Sequence, residues 1–222
     1  MNTEVPSNYR RFFAVARVIL GLIVLVSVVY QITDRLAHNV FRPGEYFAFF
    51  TVQTALMDVV VLGVGAWLAW TTPRDTKVFT IVRVCIVAFA VVTCVVYNLL
   101  LRDVPSDPGY DWPVWPNEVL HVWAPILLVL DWLFAPGRFR IRIRAALWVL
   151  VYPLAWVSFS LVRGVLTGWW PYPFLNPTNP AGWAGVVEYI VGIALFFYVN
   201  AVVFTSIAVF WDRRQARHQI AS

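Results

Sequence analysis

The sequence predicts an all-α fold, an integral membrane bundle of six transmembrane helices, and three observations carry that expectation. Hydrophobic residues make up 60% of the chain and charged residues only 13%, with a mean hydropathy of +0.70; a soluble domain is about 25% charged. Six apolar stretches, at 12–32, 46–70, 78–101, 117–134, 145–166 and 183–210, reach the roughly 20 residues a helix needs to cross the hydrocarbon core. The arginines of the connecting segments fall mostly on alternate turns, as they do in a multi-pass chain.

The opening MNTEVPSNYRRFF runs into span 12–32 with no small-residue cleavage site behind it, so the first span is expected to be a retained helix and not a signal peptide. Span 46–70 carries Thr51, Gln53 and Thr54 near its start and Asp58 in its middle. Span 78–101 holds both cysteines, Cys85 and Cys94. Nine residues of helix separate them by about 13 Å, too far for a disulfide, and they are expected to be inert core thiols. Span 117–134 opens on NEVLHVWAP and contains the one histidine of any span, His121. Span 145–166 follows the basic run GRFRIRIR, and span 183–210 is long enough to tilt or to pass beyond the bilayer. Residues 1–222 read as a single domain with no internal repeat.

Orientation follows from the loops. Arg10, Arg11, Arg74, Lys77, Arg138, Arg140, Arg142, Arg144, Arg213, Arg214 and Arg217 share one side. Arg35, Arg42 and Arg102, mixed with Asp34, Glu45, Asp103, Asp107 and Asp111, lie on the other. The positive-inside rule makes both termini cytoplasmic. The net charge of +5 is then a topology signal with some contact to anionic headgroups, and no nucleic-acid partner is expected. The two outer loops, Arg102–Pro116 and Gly168–Trp183, are rich in proline and expected to be non-helical. Their tryptophans and tyrosines suit an interfacial belt or a lid that admits an apolar substrate.

The intramembrane polar residues gather at one depth. Thr51, His121 and Glu188 sit four to five residues inside the outer ends of their spans, and Asn98 and Arg163 about three residues before theirs, so the first three lie roughly 6–8 Å below the boundary. Charges in a membrane face the bundle interior or a wet cavity. Thr51, Thr54 and Asp58 form one helical stripe at i, i+3, i+7, and Glu118 shares a face with His121. Arg17, Arg83 and Asp131 form a second set toward the cytoplasm, expected to pair or to snorkel.

Elimination narrows the chemistry. With only His38, His121 and His218, a bis-histidine haem between spans has no ligands, and a catalytic zinc would need His38 plus a carboxylate. No Walker loop, G-x-G-x-x-G, G-x-S-x-G or H-E-x-x-H occurs. A hydroxyl beside a base remains, since histidine activates a threonine by accepting its proton. Asn98 and Arg163 are candidate oxyanion donors by depth, and Glu118 or Glu188 is a candidate to orient the histidine. Residue pattern alone leads to a polar pocket in a six-helix membrane protein.

Three segments add a resemblance. YFAFFTVQTALM, NEVLHVWAPILLVLDWLF and GWWPYPFL are similar, in order and separation, to segments of the androgen-induced integral-membrane threonine hydrolases and their bacterial relatives. The resemblance covers most of the chain. It implies a hydrolase of fatty acid esters of hydroxy fatty acids, with Thr51 matching the nucleophile and His121 the general base. It implies no cofactor and no metal, a lipid ester as substrate, and a place in the bacterial cell membrane. Thr54 is the alternative nucleophile, and Gln53, Thr54 and Asp58 are expected around the pair. The bacterial relatives tend toward T-x-Q-S-N where this chain reads T-V-Q-T-A, so Ala55 replaces a polar residue. From a different class, a lipid or small-molecule transporter would also use inward-facing charges, though it would commonly show a repeat. A scaffold docking a partner through Arg138–Arg144 is a third reading.

Overall fold

A computed structural model describes the backbone of residues 6–104 and 110–220, with side chains to Ile207. The expected basic tail, Arg213, Arg214 and Arg217, with His218 and the outer-side Asp107, lies outside the described side chains. Six long helices follow one another: α1 (Asn8–Ala37), α2 (Phe50–Thr71), α3 (Lys77–Leu101), α4 (Val114–Phe134), α5 (Ile143–Thr167) and α6 (Gly182–Ile220). All six are long and apolar enough to cross a membrane, and no strand occurs among the described residues. The chain is a multi-pass membrane protein.

The packing is that of a protein dissolved in lipid. Along α1 the buried residues recur at helical spacing as Arg10, Ala14, Arg17, Gly21, Val24 and Val28, while Val15, Val18, Leu22, Val26 and Val29 are exposed. Large apolar side chains thus face outward and two guanidiniums face inward, the arrangement a hydrocarbon solvent demands. Helix α1 lies along α2; α3 is central and touches α2, α4, α6 and the start of α5. Phe50, Phe89, Tyr152 and Phe197 form an aromatic cluster among these helices, with ring centroids 5.6–5.8 Å apart.

A chain of ion pairs closes the bundle at the end where α1 begins. Asp75, in the α2–α3 turn, accepts from Arg10 at 2.6 Å and Arg83 at 2.7 Å. Asp131 of α4 accepts from Arg83 at 2.7 Å and Arg17 at 2.8 Å. The remaining guanidinium donors go to backbone: Arg10 to Thr72 O and Pro136 O, Arg17 to Gly65 O. Arg83 and Arg138 also flank the fully buried Trp132 ring, 5.3 and 5.4 Å from its centroid. Arg17, Arg83 and Asp131 therefore pair with one another, and Arg10, a topology residue in the sequence, belongs to the same network.

The first helix is longer than the expected 12–32 at both ends and the last runs past 210, and two further shifts bear on the site. The second span does not start at 46: Pro43–Tyr46 is a separate turn, and α2 begins at Phe50, so Thr51 is the second residue of its helix. In the loop expected to be non-helical through Pro116, α4 already starts at Val114, because a proline in a first turn lacks only an N–H that had no partner there.

Asp75→Ala is expected to lower stability by about 3–5 kcal/mol, since it strands buried guanidiniums without their counter-charge. Arg42→Ala, which breaks only the exposed pair with Glu45, should leave the melting temperature unchanged. Thermal unfolding of the two variants in detergent is the check.

Candidate functional site

The site begins with the break before α2. Residues 47–49 separate the short turn from α2, and two of their carbonyls are taken by side chains: Gln53 Nε2 donates to Phe47 O at 2.7 Å and Trp156 Nε1 to Ala48 O at 2.9 Å, while Phe49 O accepts the first N–H of the α2 ladder, from Gln53. Phe49 is extended and caps α2 without a side-chain hydrogen bond. The first N–H groups of a helix have no acceptor within it, so those of Phe50, Thr51 and Val52 remain free of the helix ladder. The Thr51 hydroxyl stands beside them.

His121 reaches Thr51 from α4 because that helix is locally widened. Pro125 has no N–H for the His121 carbonyl, and its ring crowds that carbonyl. The turn Val119–Trp123 accordingly becomes a π-turn, with Ala124 N bonded to Val119 O. The adjacent end of α3, Tyr97–Leu101, is also a π-turn, closed by Arg102 N on Tyr97 O at 2.8 Å. Such turns concentrate at functional sites. Here they set the Tyr97 and His121 rings in a stack, centroids 4.0 Å apart and planes 24° from parallel.

The hydrogen bonds fix the imidazole's tautomer. Nδ1 lies 2.9 Å from Asn117 O, an acceptor only, so Nδ1 carries the hydrogen. That leaves the Nε2 lone pair facing the Thr51 hydroxyl at 3.2 Å, the geometry of a hydroxyl poised against its base. The Asn117 side chain donates to the Tyr97 hydroxyl at 2.7 Å, so one residue orients both members of the stack.

Tyr172 completes the arrangement from the α5–α6 loop. Burial pushes its phenol above the ordinary value, while hydrogen bonding with the Thr51 hydroxyl and the Thr51 and Phe50 N–H groups works in the opposite direction. The phenol oxygen therefore sits at the start of α2, beside the Thr51 hydroxyl and facing the Thr51 and Phe50 N–H groups. Two glycines let the loop come this close. Gly168, at φ 73°, ends α5 in a left-handed turn, and Gly164 leaves room for the Trp170 ring, which a Cβ would meet at 2.3 Å.

Two cavities meet at Thr51. An outer one of about 470 Å³ is lined by Thr51, His121, Asn117, Gln31, Arg35 and the loop around Tyr172. A tighter slot of about 80 Å³ runs between α3, α5 and α6, among Val92, Val96, Leu154, Ile193 and Phe197. Thr51, Tyr97, Leu101 and Tyr172 border both. One side of the hydroxyl faces a cavity with polar side chains in its lining, the other an apolar slot.

The structure brings Thr51 and His121 together and leaves most of the other expected residues aside. Thr54 is buried and donates to Phe50 O and Thr51 O, so its hydroxyl is spent on its own helix. Gln53 supports the break, its Oε1 accepting from the Tyr152 hydroxyl. Asp58 is buried deeper along α2, its Oδ1 without a partner among the described residues. Asn98 is exposed and paired with Arg102, and Glu118 pairs with Arg102 at 3.0 Å. Glu188 is exposed on α6. Arg163 stacks on Trp169 at 4.2 Å, one side chain removed from the cavity. Neither glutamate touches the imidazole, and neither Asn98 nor Arg163 lines the space around Thr51. Tyr97, Asn117 and Tyr172 stand in those places. Among the described residues no three His, Cys, Asp or Glu side chains converge as a metal would require.

No protein-family model, curated protein sequence or solved structure matches this chain.

Pro125→Ala restores a donor to the His121 carbonyl and should tighten the π-turn into ordinary helix. A structure of that variant is expected to show the Tyr97–His121 stack broken and Nε2 beyond hydrogen-bonding distance of Thr51, with the melting temperature equal or higher.

Proposed function

We propose that this chain is an intramembrane lipid ester hydrolase. It cleaves fatty acid esters of the hydroxy fatty acid ester type, with Thr51 as nucleophile and His121 as general base. It works in a bacterial cell membrane, with both termini cytoplasmic and the site in the outer leaflet. The observation that carries this reading is the Thr51–His121 hydrogen bond at the seam of a polar cavity and an apolar slot. The resemblance to the threonine hydrolases supports the same roles for the same residues.

The acyl chain lies in the slot and the alcohol portion in the outer cavity. Thr51 Oγ adds to the ester carbonyl as its proton passes to His121 Nε2. Negative charge develops on the carbonyl oxygen, where the Tyr172 hydroxyl, its own oxygen backed by the Thr51 and Phe50 N–H groups, receives it; such a donor acts most strongly where water is excluded. The tetrahedral intermediate collapses, the C–O bond to the alcohol breaks, and the alkoxide takes the proton from Nε2. An acyl-threonine remains. Water from the outer cavity gives a proton to Nε2 and its oxygen to the acyl carbon, and the acid leaves as Thr51 Oγ recovers the proton. Throughout, Nδ1–H stays on Asn117 O, which keeps the ring from turning.

Transport is the weaker reading, because Trp132 and the Arg10–Asp75–Arg83–Asp131–Arg17 chain fill the far end of the bundle.

A fluorophosphonate probe tests the nucleophile directly, since Thr51 Oγ would displace fluoride and keep the phosphonyl group. Mass spectrometry should place the adduct on the Thr51 peptide, and Thr51→Ala and His121→Ala should abolish both labelling and ester turnover without changing the melting temperature. Tyr172→Phe should lower kcat by about 10²–10³, the usual loss for one oxyanion donor. Wild-type hydrolysis by either dyad variant would sink the proposal, and absence of an adduct where a related hydrolase labels would make this a binding or transport site.

A further inference from the structure

Arg35, half-buried, stands apart from the buried arginines. Arg10, Arg17 and Arg83 each hold a carboxylate within 2.8 Å. Arg35, in the last turn of α1, has no carboxylate within pairing distance among the described residues, and its Nε is buried without a partner. Its neighbour Asp34 is engaged elsewhere, by the Tyr110 hydroxyl and against His38. Three rings hold the guanidinium instead: Trp112 at 5.1 Å, Tyr46 at 5.4 Å and Tyr110 at 5.6 Å from its carbon. Aromatic faces fix a cation in place and leave its N–H edges able to donate.

The position of that cation matters more than its packing. Among the described residues, Arg35 is the one charged residue lining the outer cavity that Thr51 and His121 also line. A guanidinium presents a planar fork of donors that matches two anionic oxygens.

We propose that Arg35 is the anion-binding residue of the outer cavity, holding a carboxylate at the far end of the alcohol portion while the ester carbonyl stops at Thr51. The inference rests on the hydrolase reading and deepens it, because it says which end of the substrate is charged and in which cavity that end sits. The apolar slot has no charged lining residue, so the acyl chain enters there and the charged half cannot. Substrates are then discriminated by charge in the outer cavity and by chain shape in the slot. An anionic phospholipid headgroup offers similar oxygens, and the test separates the two sources.

The experiment uses an ether-linked, non-hydrolysable analogue of a fatty acid–hydroxy fatty acid ester, as its free acid and as its methyl ester. Binding is measured to the full chain in phosphatidylcholine nanodiscs. Wild type should bind the acid on the order of 10- to 100-fold more tightly than the methyl ester, the range of a charge-assisted contact. Arg35→Gln should erase that preference and leave the methyl ester's Kd unchanged, which also shows that the variant is folded. Arg35→Lys should keep part of it, and Thr51→Ala all of it. Equal binding of acid and methyl ester to wild type, or a preference that survives Arg35→Gln, would overturn the proposal. So would a preference that vanishes when phosphatidylglycerol is added to the disc, which would assign Arg35 to headgroups. Because the analogue is not cleaved, this result stands or falls apart from the fluorophosphonate labelling of Thr51.

Discussion

Two carboxylates, Asp75 and Asp131, hold one end of this bundle shut, and the open architecture of the other end depends on them. Each receives two guanidiniums, and together they link α1, the α2–α3 turn, α3 and α4. Charges this deep are tolerated only when every partner is present, so the network is all-or-none and strongly sets helix register. With that end closed by ionic and backbone contacts, the opposite ends of the helices are released from tight packing. They can carry irregular backbone, polar side chains and a cavity of about 470 Å³.

The irregularities are local and each has a residue behind it. Gln53 and Trp156 satisfy the Phe47 and Ala48 carbonyls of the break before α2, so Thr51 stands at the very start of its helix. Pro125 widens α4 at His121, and the end of α3 is widened at Tyr97. Irregular backbone at membrane depth persists only where it faces protein or a cavity, and here it borders the cavity lined by Thr51, Tyr97 and His121. A straight six-helix bundle of the same composition would bury Thr51 in an ordinary helical turn, with its N–H groups consumed by the preceding carbonyls.

Much of the fold was legible because hydropathy and span length report directly on a lipid solvent, and the six spans appear with small shifts at their ends. The pairing of Arg17, Arg83 and Asp131 was legible for the same reason, since lone charges at that depth are too costly. Depth was readable in the site too, but angle was not. One residue turns a helix position by 100°, and that is the difference between Asn98, which faces outward to Arg102, and Tyr97, which stacks on His121. The same step separates Glu118, on Arg102, from Asn117, whose carbonyl holds the imidazole. The break at 47–49 was invisible because it follows from tertiary hydrogen bonds to Phe47 and Ala48, and an apolar run carries no sign of them. Tyr172 was read as part of an interfacial belt or lid, and nothing in a loop's composition tells which of its aromatic hydroxyls turns inward.

An orienting group that is a neutral carbonyl has a chemical consequence. In the usual triad a buried carboxylate stabilises the imidazolium that forms in the transition state. Asn117 O accepts the same hydrogen bond without a full charge, so it fixes the tautomer while offering weaker compensation for the proton. On the proposed reading, more of the stabilisation must then fall on the developing oxyanion, which lies between the Tyr172 hydroxyl and the start of α2, the positive end of a 22-residue helix. That division also suits a site near lipid. A permanent buried carboxylate beside the histidine would be costly whenever the cavity is empty, whereas a carbonyl and a helix terminus are polar in every state of the cycle and need no counter-ion.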